Sequence, residues 1–442
     1  VKKLLEVPGI LVNGRDYSGR TPIHAASENG HDKVVKELLK APEILVNGRE
    51  WSQTQLYIAS KEGLYVTVKI ILKNLGILIN ELGVSGRTPL HISSIMGHDV
   101  VVQKILEAQK VSSAKKYPTG RTPLYMASEN GHDKVVKELL KAPGILINDN
   151  VGSFTPLFVA SKNRHYDVVN ELLETSGISV NESDYFGRSS LHVASRKGFN
   201  KIVKKLLETP GILVNEKERY GRTPLHMASE SGYYKVIKEL LGAPGILVNE
   251  GDDWRRNPLY MASLKGHDKA VRELLKVPGI LVNEIDVCGN TPLYAASYKG
   301  HYKVIKELLG IPEILVNKSG SSTHRPLYIA SWAGYSKVVR ELLKDPEILV
   351  NAEDSDSGRT PLCIASEKNH EEVVRELLVA PGILVNKADV AGRTPLHLAV
   401  ENNHDRVVIE LLKVPGILIN EDVVPCRKCD TPCLLSRKRK LL

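Results

Sequence analysis

Cysteine is scarce in this chain, with five among 442 residues. An odd number of that size builds no disulfide framework and suits a reducing intracellular compartment, with the cytoplasm as the default. Aromatic residues are few as well: three Trp, four Phe and 16 Tyr make up 5% of the chain, so a bulky aromatic core is not expected. Long apolar runs are missing. The longest, Leu377 to Val385, is nine residues and is broken by Pro381 and Gly382, against the roughly 18 that a membrane span needs. No membrane insertion is therefore expected. Val1, Lys2, Lys3, Leu4 and Leu5 open the chain without the long apolar stretch of a secretory signal behind the two lysines. Strong charge of one sign is also lacking over most of the length. Of the net +9, the last twenty residues hold +5 (Arg427, Lys428, Arg437, Lys438, Arg439 and Lys440 against Asp430), which leaves +4 for everything before them. The body is thus not a nucleic-acid-type basic surface. Nor is it a disordered composition, with 42% hydrophobic and 25% charged residues.

What the chain has is internal repetition. At roughly 150 residues per domain the length alone suggests about three domains, but self-comparison replaces that count. Thr-Pro dipeptides fall at Thr21, Thr88, Thr122, Thr155, Thr223, Thr291, Thr360, Thr394 and Thr431, and Thr54, Ser189, Asn257 and Arg325 fill the gaps. Every step from 21 to 394 is 33, 34 or 35 residues, giving twelve full repeats, numbered 1 to 12 below. A period in this range means one supersecondary unit stacked many times.

Repeat 9 shows the physical logic. Thr291 caps a helix and Pro292 takes its first position, where a missing N–H costs nothing. A short first helix is predicted from Leu293 to Tyr298, ended at Lys299-Gly300 with Gly as the left-handed residue. The second helix, His301 to Leu309, places Val304, Ile305, Leu308 and Leu309 on one stripe, with Lys303, Lys306 and Glu307 on the solvated face. Pro312 stops it, and Ile314-Leu315-Val316-Asn317 is a β-prone run leading to the next turn.

The heads Gly-Arg-Thr-Pro-Leu-His-Met-Ala-Ser-Glu (221–230) and Gly-Arg-Thr-Pro-Leu-His-Leu-Ala-Val-Glu (392–401) resemble the head of an ankyrin repeat. The Gly-His start of the second helix (30–31, 131–132, 266–267, 300–301) and the Val-Val-x-Glu-Leu-Leu core complete the likeness over nearly the whole chain. The resemblance implies an all-α ankyrin-repeat solenoid of helix-turn-helix units with short β-hairpin connections, whose hairpins and first helices line a concave groove. Most repeats here carry Pro-Gly-Ile-Leu-Val-Asn or a close variant, one residue longer than the family's usual stretch, which accounts for the 34-residue period. Repeat 2 departs, with Thr54-Gln55 for Thr-Pro and Ser52 in the hairpin Gly position. The stretch 108–117 loses the block altogether and reads as the weakest junction, a candidate bend or subdomain boundary. The expected organisation is a partial repeat over 1–20 (second helix and hairpin), about twelve repeats over 21–422, and a truncated half-repeat with a basic tail over 423–442. Because the first, partial unit lacks the polar face of a terminal cap, the chain reads as a piece of something longer.

The search for chemistry finds no Gly-x-Ser-x-Gly, Walker loop, Gly-x-Gly-x-x-Gly or His-Glu-x-x-His. No catalytic residue, metal or cofactor is expected. His370-Glu371-Glu372 lacks the second His and opens an ordinary helix. The pairs His24/His31, His91/His98 and His397/His404 give way in other repeats to Tyr57, Tyr125, Phe158, Tyr260 or Tyr294, and to Leu64, Phe199 or Tyr233. Ring-sized fillers replace His, so packing and local hydrogen bonding are the expected role. Cys426, Cys429 and Cys433 are one ligand short of a structural zinc site, unless a partner or missing residues supply it. Asn181 and Asn317 match the glycosylation sequon, but Asn ends this block in nearly every repeat, which points to a structural role. The run Arg437, Lys438, Arg439, Lys440 divides evenly between a solvated tail and a targeting or contact role, such as a nuclear import signal.

Positions that change freely between repeats are not needed for stacking, so they carry the functional expectation. The two residues before the hairpin Gly vary most and include Trp51, Tyr185, Phe186, Arg219, Tyr220 and Trp254. First-helix ends in the same middle stretch supply Lys162, Arg164, Arg196, Lys197, Lys265 and Lys299, where outer repeats more often have Glu28, Glu129, Glu367 or Glu401. These twelve aromatic and cationic residues are the expected contact set for a partner protein, one with acidic segments that also carry apolar side chains. The function implied is a non-enzymatic scaffold or adaptor. Two other classes stay open: the regulatory array of an enzyme whose catalytic domain lies outside this chain, and a nuclear adaptor using the tail, the one route by which nucleic acid would be bound.

Overall fold

The computed structural model describes residues 1–44, 54–73, 79–83, 86–108, 113, 116, 120–150, 152–318 and 324–419. Among these there are 25 helices, of four to eight residues each, and no strand; an isolated antiparallel bridge joins Ser183 to Ser189. The chain divides into two compact units, 1–214 with repeats 1 to 6 and 215–442 with repeats 7 to 12. The expected junction at 108–117 lies mostly outside the described residues, as do Trp51, the three C-terminal cysteines and the basic tail.

Each repeat is a helix pair set by the residues its sequence singles out. In repeat 7 the Thr223 hydroxyl accepts from the His226 backbone N–H at 3.4 Å, while His226 Nδ1 accepts from the Thr223 N–H at 3.2 Å. Two orphan donors at the helix start are thereby satisfied reciprocally, and Pro224 adds none. The first helix runs Pro224–Ser231 and is buried from Pro224 to Ser229. The second, Tyr234–Leu241, buries Val236, Ile237 and Leu240 fully. Each such side chain contributes ~1.5–3 kcal/mol by leaving water, so the core of each unit is the sum of many such contributions. Repeat 9 follows its expectation closely, with helices Pro292–Tyr298 and Tyr302–Leu309. Glu307 is the exception: its carboxylate, expected in solvent, accepts from Arg272 Nη2 and Nε of the preceding repeat, at 2.6 and 3.0 Å.

The histidines link neighbours. Nε2 of His132, His165, His267, His301, His370 and His404 lies 2.8–3.1 Å from a first-helix carbonyl one repeat earlier. Asparagine does the same on another edge. Asn249 Nδ2 donates to the Gly279 carbonyl at 2.8 Å and its Oδ1 accepts from the Leu281 N–H at 2.9 Å. Asn181 and Asn317, the two sequon residues, hold the same pair of bonds. This ladder explains why the β-prone run is not a strand. The Leu315 N–H is already taken by Asn283 Oδ1 at 2.9 Å, and the chain turns at Val316-Asn317.

Candidate functional site

In repeats 6 to 9, 11 and 12 the loop before the capping residue is built on one buried acid. In repeat 8, Asp252 Oδ1 accepts from the N–H groups of Trp254 and Arg256, both at 2.9 Å, and Oδ2 accepts from Arg256 Nε and Nη2 at 2.9 and 2.6 Å. Two backbone bonds close the turn, Asp252 N to Arg256 O at 3.1 Å and Arg255 N to Asp252 O at 2.8 Å. The expected hairpin is therefore a single carboxylate-anchored turn. Asp184 with Arg188, Glu218 with Arg222, and Asp389 with Arg393 repeat the pattern. Burial alone would push the Asp389 carboxyl up, but the Arg393 side chain, two backbone N–H groups and the Arg393 charge outweigh it and hold it below the usual carboxylate range. In repeat 9 the loop acid Asp286 also accepts from the Tyr260 hydroxyl of repeat 8 at 2.7 Å, and burial, with that carboxylate, pushes the phenol well above its ordinary value. Sequence reading passes over these acids. Their signal is an Asp or Glu five residues before the capping residue, as at Asp184, Glu218, Asp252, Asp286 and Asp389.

In several repeats the Arg just before the capping residue also reaches the end of the first helix. Arg20 meets Glu28 at 3.1 Å, Arg121 meets Glu129 at 2.8 Å, Arg222 meets Glu230 at 3.1 Å and Arg359 meets Glu367 at 2.6 Å. Loop and helix end thus share one side of each repeat, and the helix-end glutamates are answered by cations of their own heads. In repeat 5 the same two positions hold Phe154 and Lys162, with the ammonium 5.0 Å from the ring centre.

Within 1–214, Lys197 donates to the Lys162 carbonyl at 2.8 Å and lies 5.9 Å from the Phe199 ring, which Arg164 also faces at 5.6 Å. Tyr185 is 77% exposed and meets Phe186 edge-on at 5.5 Å. Arg188 covers Phe186 at 5.0 Å, and Arg196 is exposed. Within 215–442, the Tyr220 and Trp254 rings lie 6.0 Å apart, each about 40% exposed. Arg222 faces Tyr220 at 5.3 Å and Arg256 faces Trp254 at 4.6 Å. Successive loops bond to each other, Asp253 N to Tyr220 O at 3.1 Å and Val287 N to Trp254 O at 3.0 Å. These rings therefore pack sideways and keep a face in solvent. Arg219 is exposed, Lys265 lies 3.7 Å from Glu230, and Lys299 sits 4.7 Å from the Tyr298 ring. Two exposed aromatics at first-helix ends, Tyr298 and Trp332, stand outside the set chosen from sequence. Equivalent helix-end positions hold charge in most other repeats, Ile95 and Leu264 excepted, and only tabulating that slot on its own exposes them.

Burial dominates the titration of His226, whose pKa is lowered to about 4, with its Nε2 2.9 Å from the Arg256 carbonyl. Cys363 is a buried free thiol and Cys288 an exposed one. Among the described residues no group of three or more His, Cys, Asp or Glu is placed to hold a metal ion, and no helix is long and apolar enough to cross a membrane.

No curated protein matches the chain. Among solved structures it is similar to the ankyrin repeat domain of Bcl-3, described as a unique member of the IkappaB protein family (25% identity, TM-score 0.46, 51% of this chain and 100% of that one). It is also similar to the human ASB11 ankyrin repeat domain (26% identity, TM-score 0.45, 52% of this chain and 100% of that one). The family model for ankyrin repeats in three copies matches residues 56–151, 101–184, 157–252, 245–320 and 327–422, and the single-repeat model matches 18–48. With this coverage, the capped helix pairs and the shared period, the chain belongs to the ankyrin-repeat family.

Proposed function

We propose that this chain is a protein-binding scaffold, and that its partner docks on the side formed by loop turns and first-helix ends. Ankyrin repeats generally mediate protein–protein interaction, and typically do so without catalysis. The observation that supports this surface is the way its rings are held. Trp254 and Tyr220 keep a face in solvent although each is fixed by a buried acid beneath it and a guanidinium beside it. Rings ordered before binding lose little further entropy on contact, and Trp and Tyr are the usual energetic anchors of interfaces. The neighbouring cations favour a partner segment with carboxylates among its apolar side chains.

Tyr220→Ala combined with Trp254→Ala tests the reading. The sideways ring contact is worth about 0.5–1.5 kcal/mol, so the urea midpoint should move little, while a partner isolated with the intact chain should no longer be retained. Undiminished retention, or collapse of the fold, rejects this surface.

A further inference from the structure

The Arg–Glu pair seen in repeats 1, 4, 7 and 11 is absent from three successive repeats of 215–442. The helix-end position holds Leu264 in repeat 8, Tyr298 in repeat 9 and Trp332 in repeat 10, between Glu230 and Glu367. Tyr298 and Trp332 are 41% and 44% exposed, and Leu264 is half-buried against Tyr260, Met261 and Ala295. The same three heads carry cations. Arg255 is exposed, Lys299 lies 4.7 Å from the Tyr298 ring, and Arg325 Nη1 donates to the Glu353 carbonyl at 3.2 Å. Among the described residues none of these three is within ion-pair distance of a carboxylate; Asp253 and Glu353 are exposed acids nearby, and Glu353 pairs with Lys387. An apolar row with unanswered positive charge therefore replaces a row of closed ion pairs.

We propose that Leu264, Tyr298 and Trp332 form a three-step strip that receives an acidic segment of a partner protein in a polyproline II conformation, with an apolar residue at every third position. This deepens the reading above and rests on it. The spacing argument is geometric. Packed helices stand ~8–10 Å apart, so equivalent side chains in successive repeats are separated by about that distance. A polyproline II chain has three residues per turn and rises ~3.1 Å per residue, which returns a side chain to the same face every ~9 Å. A β-strand alternates faces at each residue, so its third neighbour points away. An α-helix matches the distance only at seven-residue spacing, ~10.5 Å, and leaves no backbone acceptors for the cations. A polyproline II backbone leaves its carbonyls free, and flat aromatic faces are what proline-rich chains pack on. The carboxylates between the anchors answer Arg255, Lys299 and Arg325.

Three labelled synthetic peptides of matched net charge serve as probes: one repeating Leu-Pro-Glu, one with the same residues and the leucines adjacent, and one helical with leucine at heptad spacing. The every-third peptide should bind the intact chain about ten-fold more tightly than either of the others, and Trp332→Glu should weaken it about ten-fold, the loss of one anchor. Lys299→Glu changes an exposed charge outside the core, should keep the fold, and should weaken binding while flattening its salt dependence. Equal binding of the rearranged peptide, preference for the heptad peptide, no binding of the every-third peptide, or no effect of Lys299→Glu overturns the strip. The Tyr220→Ala, Trp254→Ala experiment is read separately, so the strip can fail while the wider surface stands.

Discussion

His226 is a buried residue whose two ring nitrogens are both occupied, by the Thr223 N–H and the Arg256 carbonyl. Burial lowers its pKa to about 4 from an ordinary 6.5, and burial lowers His301 and His397 as well. The folded chain therefore resists a proton that the unfolded chain accepts. Stability from these residues is complete above pH 6.5 and declines as pH falls through that value toward 4, by on the order of 3 kcal/mol for His226. Urea midpoints should fall across that window, before the loop carboxylates protonate, and His226→Gln should flatten part of the slope. A midpoint constant from pH 7 to 4.5 would contradict this. At this scale the sequence shows much of the arrangement: substitution of His by Tyr, Phe or Leu between repeats already reads as packing. It does not show Asp252 and its equivalents as anchors. An acid in a turn with an Arg four residues on looks like an ordinary solvated pair until the fold buries the carboxylate.

Between elements, several glycines lie close against a ring. Gly266 ends the first helix of repeat 8 at φ +78°, and a Cβ there would meet His301 Nδ1 at 2.5 Å. Gly279 has the same φ, +78°, with nothing within 4 Å of an added Cβ. Alanine at 279 should cost about 1 kcal/mol of backbone strain alone. Alanine at 266 should cost that and also displace His301 from the Leu264 carbonyl, for a total of ~2–4 kcal/mol. Matched denaturation curves for Gly266→Ala and Gly279→Ala measure the difference, and equal losses would show that the ring contact contributes nothing. Helix positions are legible from the period and the Thr-Pro caps because both are local signals. The connection is less so. Ile-Leu-Val-Asn has strand propensity, but side-chain amides one repeat away take the hydrogen bonds that a strand partner would need. Propensity within a segment carries no trace of that.

For the whole molecule, stability is expected to be close to a sum of repeat and nearest-neighbour terms, and the His and Asn side-chain bonds between described repeats join adjacent ones. Surface identity follows differently. The stacking positions recur and announce themselves, whereas Leu264, Tyr298 and Trp332 stand out only when one slot is followed through successive heads. The asparagine ladder of 215–442 has a mechanical meaning. Asn215, Asn249, Asn283, Asn317, Asn351 and Asn386 each tie one repeat to the next. Joined in series, these ties carry the same tension when the chain is pulled from its ends, and none shares its load with another. The weakest junction then yields first and the others follow singly. Each yielding repeat releases 34 residues, or about 110–120 Å at ~3.3–3.6 Å per residue before the ~10 Å of folded spacing is subtracted. In an optical trap, extension should therefore advance in steps of about 100–110 Å or small multiples of it, and recoil by the same steps when the force is relaxed. One abrupt rupture of the whole unit would show that tension is shared. A stack that gives way step by step is a spring with a graded yield, and a partner lying along several repeats would be shed in stages under load.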